Sequence, residues 1–235
     1  MIAKAASSKV VSDVRRRVTQ GEWNARVDLA AAYRICAAYG WNNFIYNHVT
    51  MRVPGEPKHF LLKPNDLMFE EVTASTLIKL DLDGNPVDED DNVNAAGYTI
   101  HTAVLIARQE INCVLHVHTP VGMAISAYKN GLLPINQGAM RFYNRIAYHD
   151  YEGFSTDLED REKIAKDLGK HKAMIMRNHG LLTLSETVQD AVMWMKYLVE
   201  SCETQLQLGA MSTELIIPSH ELCEGSGCVK RSEYA

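Results

Sequence analysis

The sequence predicts an α/β fold, one domain with helices layered on a sheet. Three observations predict it. Short runs rich in β-branched and aromatic residues alternate with segments of helical period. The helical segments fall before, between and after those runs, an order that layers helices on a sheet. The chain has 235 residues and is 46% apolar, enough for one medium domain with a sizeable core. The domain is read as residues 1–235, with a core at about 22–210 and a polar, Gly- and Ser-bearing tail from about 212.

The elements follow in order. Residues 22–39 predict a helix: Val27, Ala31, Ile35 and Ala38 share its apolar face, and Gly40 stops it. "FIYNHVTMRV" (44–53) predicts a strand. "FLLKPND" (60–66) predicts a short strand broken by Pro64, and "LIKLDLDGNPV" (77–87) a strand entering an Asp-Gly-Asn turn. A helix is expected over 95–109, a strand over "INCVLHVH", a short helix over 119–128 and a strand over "NRIAYHD". Residues 157–168 predict a charged amphipathic helix. "KAMIMRNHGLLTL" (172–184) predicts two strands joined at Asn178-His179-Gly180. The last long helix, 186–209, carries Val188, Ala191, Val192, Met195, Val199, Cys202 and Leu206 on its apolar side. Met193 and Met195 are read as core filling.

Composition narrows the function classes. Lys and Arg number 24 against 29 Asp and Glu, a net charge of −5. "VRRRV" (14–18) is the one dense basic cluster and reads as a solvated helix face, so nucleic acid is not the expected partner. No run is long enough to span a membrane, and "MIAKAASSKVV" lacks the apolar core of a signal peptide. The five cysteines are odd in number, and Cys36, Cys113 and Cys202 lie in apolar stretches. That pattern suggests reduced thiols and a cytoplasmic location rather than a disulfide framework. Cys223 and Cys228 sit in the polar tail without a second pair, a poor zinc knuckle.

The chemistry concentrates in histidines. In "CVLHVHTP" (113–120), strand alternation sends His116 and His118 to one face. "RNHGLL" adds His179 on a glycine-bearing turn, where Gly180 permits a positive φ or close backbone approach. Three imidazoles of this kind suit Zn²⁺, Fe²⁺, Mn²⁺ or Co²⁺ with coordination positions left open, although structural histidines read equally well from spacing alone.

With these segments in place, the sequence resembles the class II aldolase/adducin family over roughly 22–210. "YNHVTMRV" is similar to the family's Gly-Asn-x-Ser-x-Arg strand. "LKPNDLMFEEVTASTLIKLDLDG" is similar to its Thr-Pro-Ser-Gly loop and following strand, "HTAVLIARQEINCVLHVHTP" to its helix-then-HxH segment, and "RNHGLL" to its third-ligand turn. "GLLP" and "YHDYEGF" resemble the adducin-like branch. The resemblance implies a three-layer α/β/α fold around a mainly antiparallel sheet. It also implies one divalent metal per chain (Zn, Mn or Fe) on His116, His118 and His179, and a homotetramer with sites between subunits.

The chain departs from the family's sugar-phosphate aldolases. They carry a metal-reaching Glu four residues before the helix histidine; here that histidine is His101 and the position is Gly97. Glycine moves no proton. Ala95-Ala96 stand in place of a phosphate-binding Ser-Ser pair, Tyr46-Asn47 in place of Gly-Asn, and Asn65-Asp66 in place of Ser/Thr-Gly. Hydroxyl donors are lost and a negative charge gained, which disfavours a phosphate dianion. Lys63 can hold a carboxylate, with Asn47 and Asn65 as further substrate-binding residues. His101 is read as supporting the ligands from behind rather than as a fourth ligand. Water, or His149 or Tyr151 in "AYHDYEG", is the candidate proton donor. Glu70 and Glu71 are given no catalytic role.

The expected function is a metal-dependent carbon–carbon lyase acting on a small, non-phosphorylated hydroxy, oxo or aromatic carboxylic acid, with decarboxylation favoured over sugar-phosphate cleavage. Two alternatives stand beside it: a non-haem iron oxygenase on the same scaffold, and a non-catalytic adducin-like interaction module. Adducin-like proteins lose the metal histidines, whereas this chain has all three.

Overall fold

The computed structural model describes residues 8–87, 95–153, 158–211 and 214–227. Its frame is a seven-stranded sheet: β1 (His48–Val53), β2 (Glu56–Leu62), β3 (Ile78–Asp81), β4 (Cys113–Val117), β5 (Ile146–His149), β6 (Ala173–Met176) and β7 (Gly180–Ser185). The spatial order is β3-β2-β1-β4-β7-β6-β5. Among the described residues only the β5–β6 pair is parallel. The mainly antiparallel sheet is thus present.

The helices are α1 (Ser8–Arg17), α2 (Gln20–Ala38), α3 (Ala95–Ala107), α4 (Pro120–Ser126), α5 (Gln137–Met140), α6 (Leu158–Leu168), α7 (Val188–Gly209) and α8 (His220–Ser226). Strand alternation divides the core in two. Cys113, Leu115 and Val117 of β4 face α2 and α7, packing with Leu29, Cys36, Met195 and Cys202. Val114 faces the other way, toward Val104 and Leu105 of α3 and Leu168 of α6. These are the three layers.

The buried face of α2 differs from expectation. Ala25, Leu29, Ala30, Ala32, Tyr33 and Cys36 are buried, whereas Val27 and Ile35 are 45% and 44% exposed and Ala31 and Ala38 are open. The larger wedge of Leu29, Tyr33 and Cys36 takes the sheet, and the thinner aliphatic stripe is left outside. Two charges go inside with the wedge. Glu22 accepts from the Arg26 guanidinium at 2.8 Å and from Lys79 Nζ at 3.0 Å, so the pair is satisfied by a partner from β3. On α7 the expected face holds except at its end, where Leu206 is exposed and Gln205 buried; Met195 fills the core but Met193 is 40% exposed.

Strand boundaries shift for local reasons. β1 starts at His48 rather than 44, because Phe44 adopts a positive φ of 48° and breaks the extended run. β2 starts earlier, at Glu56, because Gly55 (φ 82°) turns the chain back at once. β3 ends at Asp81, whose carboxylate accepts the amides of Asp83 and Asn85 and closes the expected turn. The tail is not merely polar: α8 buries Cys223, to 1% exposure. Cys228 lies outside the described residues, so the Cys223–Cys228 pairing does too. No helix among the described residues is long and apolar enough to cross a membrane.

Candidate metal centre

His116 lies near the end of β4, paired in register with His48 of β1 and Leu182 of β7. Its Nδ1 is 2.9 Å from the carbonyl oxygen of Leu181. A carbonyl only accepts, so Nδ1 carries the proton and Nε2 presents a lone pair. His118 follows the strand directly. Its amide donates to Asn47 Oδ1 at 3.2 Å. Thr119 then caps α4 by accepting the Gly122 amide, and Pro120 opens that helix, so the chain turns sharply behind His118.

His179 stands on the β6–β7 turn. Here the positive φ falls on Asn178 (53°) and not on Gly180. Gly180 serves the second expected purpose, close approach: a Cβ there would lie 2.6 Å from the Val117 oxygen and 2.9 Å from His118 Cδ2. The two loops therefore meet. His116 Nε2 is 2.7 Å from His118 Nε2 and 3.2 Å from His179 Nε2. One ligand nitrogen from each lies within 4.8 Å of the others, and among the described residues no carboxylate or thiol joins them.

Burial keeps the rings neutral. Desolvation holds His116 well below the ordinary imidazole value, with His179 and His118 adding to the effect. It lowers His118 as well, and takes His179 to about 4 with help from His118 and His149. Three neutral imidazoles with nitrogens converging form a donor set for a cation.

Of the other expected residues, Asn47 and Tyr151 approach the trio directly. His101 comes from α3, one turn after Gly97, and is 1% exposed. Its Nδ1 shares a 2.8 Å hydrogen bond with Thr50 Oγ1, and its Nε2 is buried without a partner. Burial lowers it to about 3. It is not among the three converging residues, and its hydrogen bond goes to Thr50 rather than to one of them. His48 mirrors this: its ring lies edge-on to His101 at 6.2 Å, with Nε2 buried and unpartnered. Sequence analysis gives His48 no role; its place opposite His116 comes only with the sheet register.

Asn47 is fully buried, and its amide is committed on both sides: Nδ2 donates to the Trp41 oxygen and Oδ1 holds the His118 amide. It positions a loop. Lys63 is not a surface residue. It is 1% exposed, donates to the Pro64 oxygen at 3.1 Å, and is lowered to about 8 by burial, with Asp66 partly opposing. Asn65 carries a buried Oδ1 with no partner.

His149 and Tyr151 share a narrow cleft of about 50 Å³ with His179, Thr99 and Arg177. Tyr151 is 46% exposed, its ring 5.8 Å from that of His179. His149 Nδ1 lies 2.7 Å from Asp167 Oδ2. Asp167 was missed, because it lies 18 residues on, within a charged helix face that carries no motif. Glu71 accepts the Met68 amide, a local cap.

Comparison with known proteins agrees with this architecture. The Class II Aldolase and Adducin N-terminal domain profile matches residues 27–206. The crystal structure of an aldolase II superfamily protein from Pseudomonas syringae is 44% identical, with a TM-score of 0.88 over 94% of this chain and 89% of that one. An L-fuculose 1-phosphate aldolase from Glaciozyma antarctica is 29% identical, with a TM-score of 0.78 over 95% of this chain and 85% of that one. Rat alpha-adducin is 45% identical over 192 residues, 80% of this chain but only 26% of adducin's own length.

Proposed function

Because the chain belongs to the class II aldolase and adducin N-terminal domain family, we propose that it is a divalent-metal-dependent carbon–carbon lyase whose substrate is a small, non-phosphorylated hydroxy, oxo or aromatic carboxylic acid. The observation that carries the reading is the convergence of three neutral imidazole nitrogens with no carboxylate among them. His116 Nε2 is fixed as a lone pair by the Leu181 carbonyl, yet two other nitrogens approach it within 3.2 Å. That single lone pair can accept an N–H from at most one of them, whereas a shared cation is held by lone pairs from all three. His116, His118 and His179 would hold Zn²⁺, Mn²⁺ or Fe²⁺, which supplies Lewis-acid stabilisation of charge as a carbon–carbon bond breaks.

The chain's own residues favour decarboxylation. Gly97 offers no side chain where the related aldolases carry their base, and loss of CO₂ needs no proton removed beforehand. The electron pair of the broken bond stays on the substrate carbon, and a proton must then be supplied. We assign this to His149, which lines the cleft beside His179 and whose Nδ1 lies 2.7 Å from Asp167 Oδ2. Tyr151 lies at the open rim of the same cleft. Lys63 and Asn65 bind the substrate's remote polar end, with Asn47 holding the loop that presents His118.

The test is wild-type protein loaded separately with each metal and screened against hydroxy, oxo and ortho-hydroxy aromatic acids for CO₂ release, under air and anaerobically. Release that survives without oxygen and falls in His118→Ala supports the reading. Strict dependence on O₂ would make the protein an oxygenase. Robust cleavage of fuculose or ribulose phosphates would make it a sugar-phosphate aldolase, as its Glaciozyma relative is named. The likeness to alpha-adducin favours a second reading, a non-catalytic interaction module. Less than one equivalent of metal per chain after purification without chelators would support that instead.

A further inference from the structure

A second concave site lies at the far end of the same strands. Ala173, which opens β6, lines it, whereas Met176, which closes β6, lines the His149 cleft. The cavity measures about 600 Å³, within the range of about 300–1,000 Å³ usual for small-molecule sites. Arg141, Arg145, Lys170 and Lys172 line it, over the edge-to-face pair of Phe142 and Trp194 at 5.7 Å. Among the described lining residues one carboxylate appears, Glu224 of α8. It is already engaged by Arg145 at 2.8 Å and by Asn144. Arg141 lies over the Tyr197 ring at 4.5 Å, and Lys172 has Glu186 only at 3.9 Å. The chain as a whole is acidic at −5, so this concentration of cations runs against its average.

We propose that this basic pocket binds a multiply charged small anion, at a site separate from the histidine trio. Guanidinium and ammonium groups converging on one cavity match an anion with several acceptor oxygens. Trp194, half-buried and backed by the buried Phe142, gives an apolar surface for the carbon part of such a ligand. Arg145 also bonds the Glu224 backbone oxygen at 3.0 Å, which ties α8 to the pocket wall.

The test is calorimetric titration with sodium pyrophosphate and, separately, with citrate. It uses wild-type protein and the His118→Ala variant, in which binding to a trio-held metal is broken. One saturable site per chain is expected for at least one anion in both proteins. The anion that saturates tells a phosphate ligand from a carboxylate one. Lys170→Ala with Lys172→Ala should weaken binding by about tenfold or more, since a charge-assisted bond is worth at least a decade. Lys58→Ala with Lys129→Ala removes the same charge from exposed positions elsewhere and should leave affinity unchanged. Absence of saturation by either anion at millimolar concentration, or equal losses in the two double variants, would overturn the proposal.

Discussion

At the scale of single residues, the histidine trio depends on one missing side chain. Gly180→Ala places a methyl against the Val117 carbonyl at 2.6 Å, and backbone cannot yield as a flexible side chain can. The expected outcome is a loss of about 1–3 kcal/mol in stability, read by chemical denaturation. Metal affinity should fall on the order of 10–100-fold, because the chain that leads from Val117 into His118 must move. A variant with unchanged metal affinity would show that the close approach is incidental. Lys63 gives a pH prediction. Burial lowers its ammonium to about 8, so the cation is lost as pH rises through that value. If it binds a substrate carboxylate, kcat/KM should fall above pH about 8 while kcat holds. A flat kcat/KM profile to pH 9 would remove Lys63 from the site. The trio was legible in the sequence because HxH alternation and an Asn-His-Gly turn are local patterns. Asp167 was not, since its partnership with His149 exists only once α6 packs beside β5. Asn47 was legible as polar and near the site, but its occupation by backbone groups was not.

At the scale of elements, the sequence placed most strands and helices, and the errors share a cause. Periodicity on α2 identified an apolar stripe but not which of two stripes meets the sheet. Tyr33 and Cys36 were the deciding residues: the Tyr33 hydroxyl accepts the Val49 amide at 3.0 Å, a contact no helical wheel contains. The same element buries Glu22 between Arg26 and Lys79. Glu22→Ala leaves two cations near each other with their shared partner gone. It should cost about 3–5 kcal/mol, measured as a lower midpoint in urea with little change in slope. A cost below 1 kcal/mol would mean that water replaces the carboxylate. Short elements without period, such as α5 and α8, were invisible beforehand for the same reason: their positions are set by Asn136 and Ser219 caps and by packing, not by pattern.

At the scale of the whole molecule, the stripe left outside on α2 carries a prediction. Val27 and Ile35 on the helix and Tyr39 at its C-cap are each 44–50% exposed, an arrangement that favours contact between copies. A homotetramer should appear by light scattering at about four times 26.3 kDa, and Ile35→Glu should yield smaller species. A wild-type monomer at micromolar concentration, or a variant that keeps full mass, would contradict this. The sheet order has a further consequence. β1 to β4 form one run of paired strands and β5 to β7 another, and the two runs join at the β4–β7 pair. His116 and His118 belong to the first group and His179 to the second. An ion shared by the three is therefore a clasp across the seam of two half-sheets. A chain severed in the connection after α4 would give two fragments, each lacking part of the donor set. Recovery of tight metal binding on mixing them would report that the halves had found each other, which makes the histidine trio a built-in gauge of assembly.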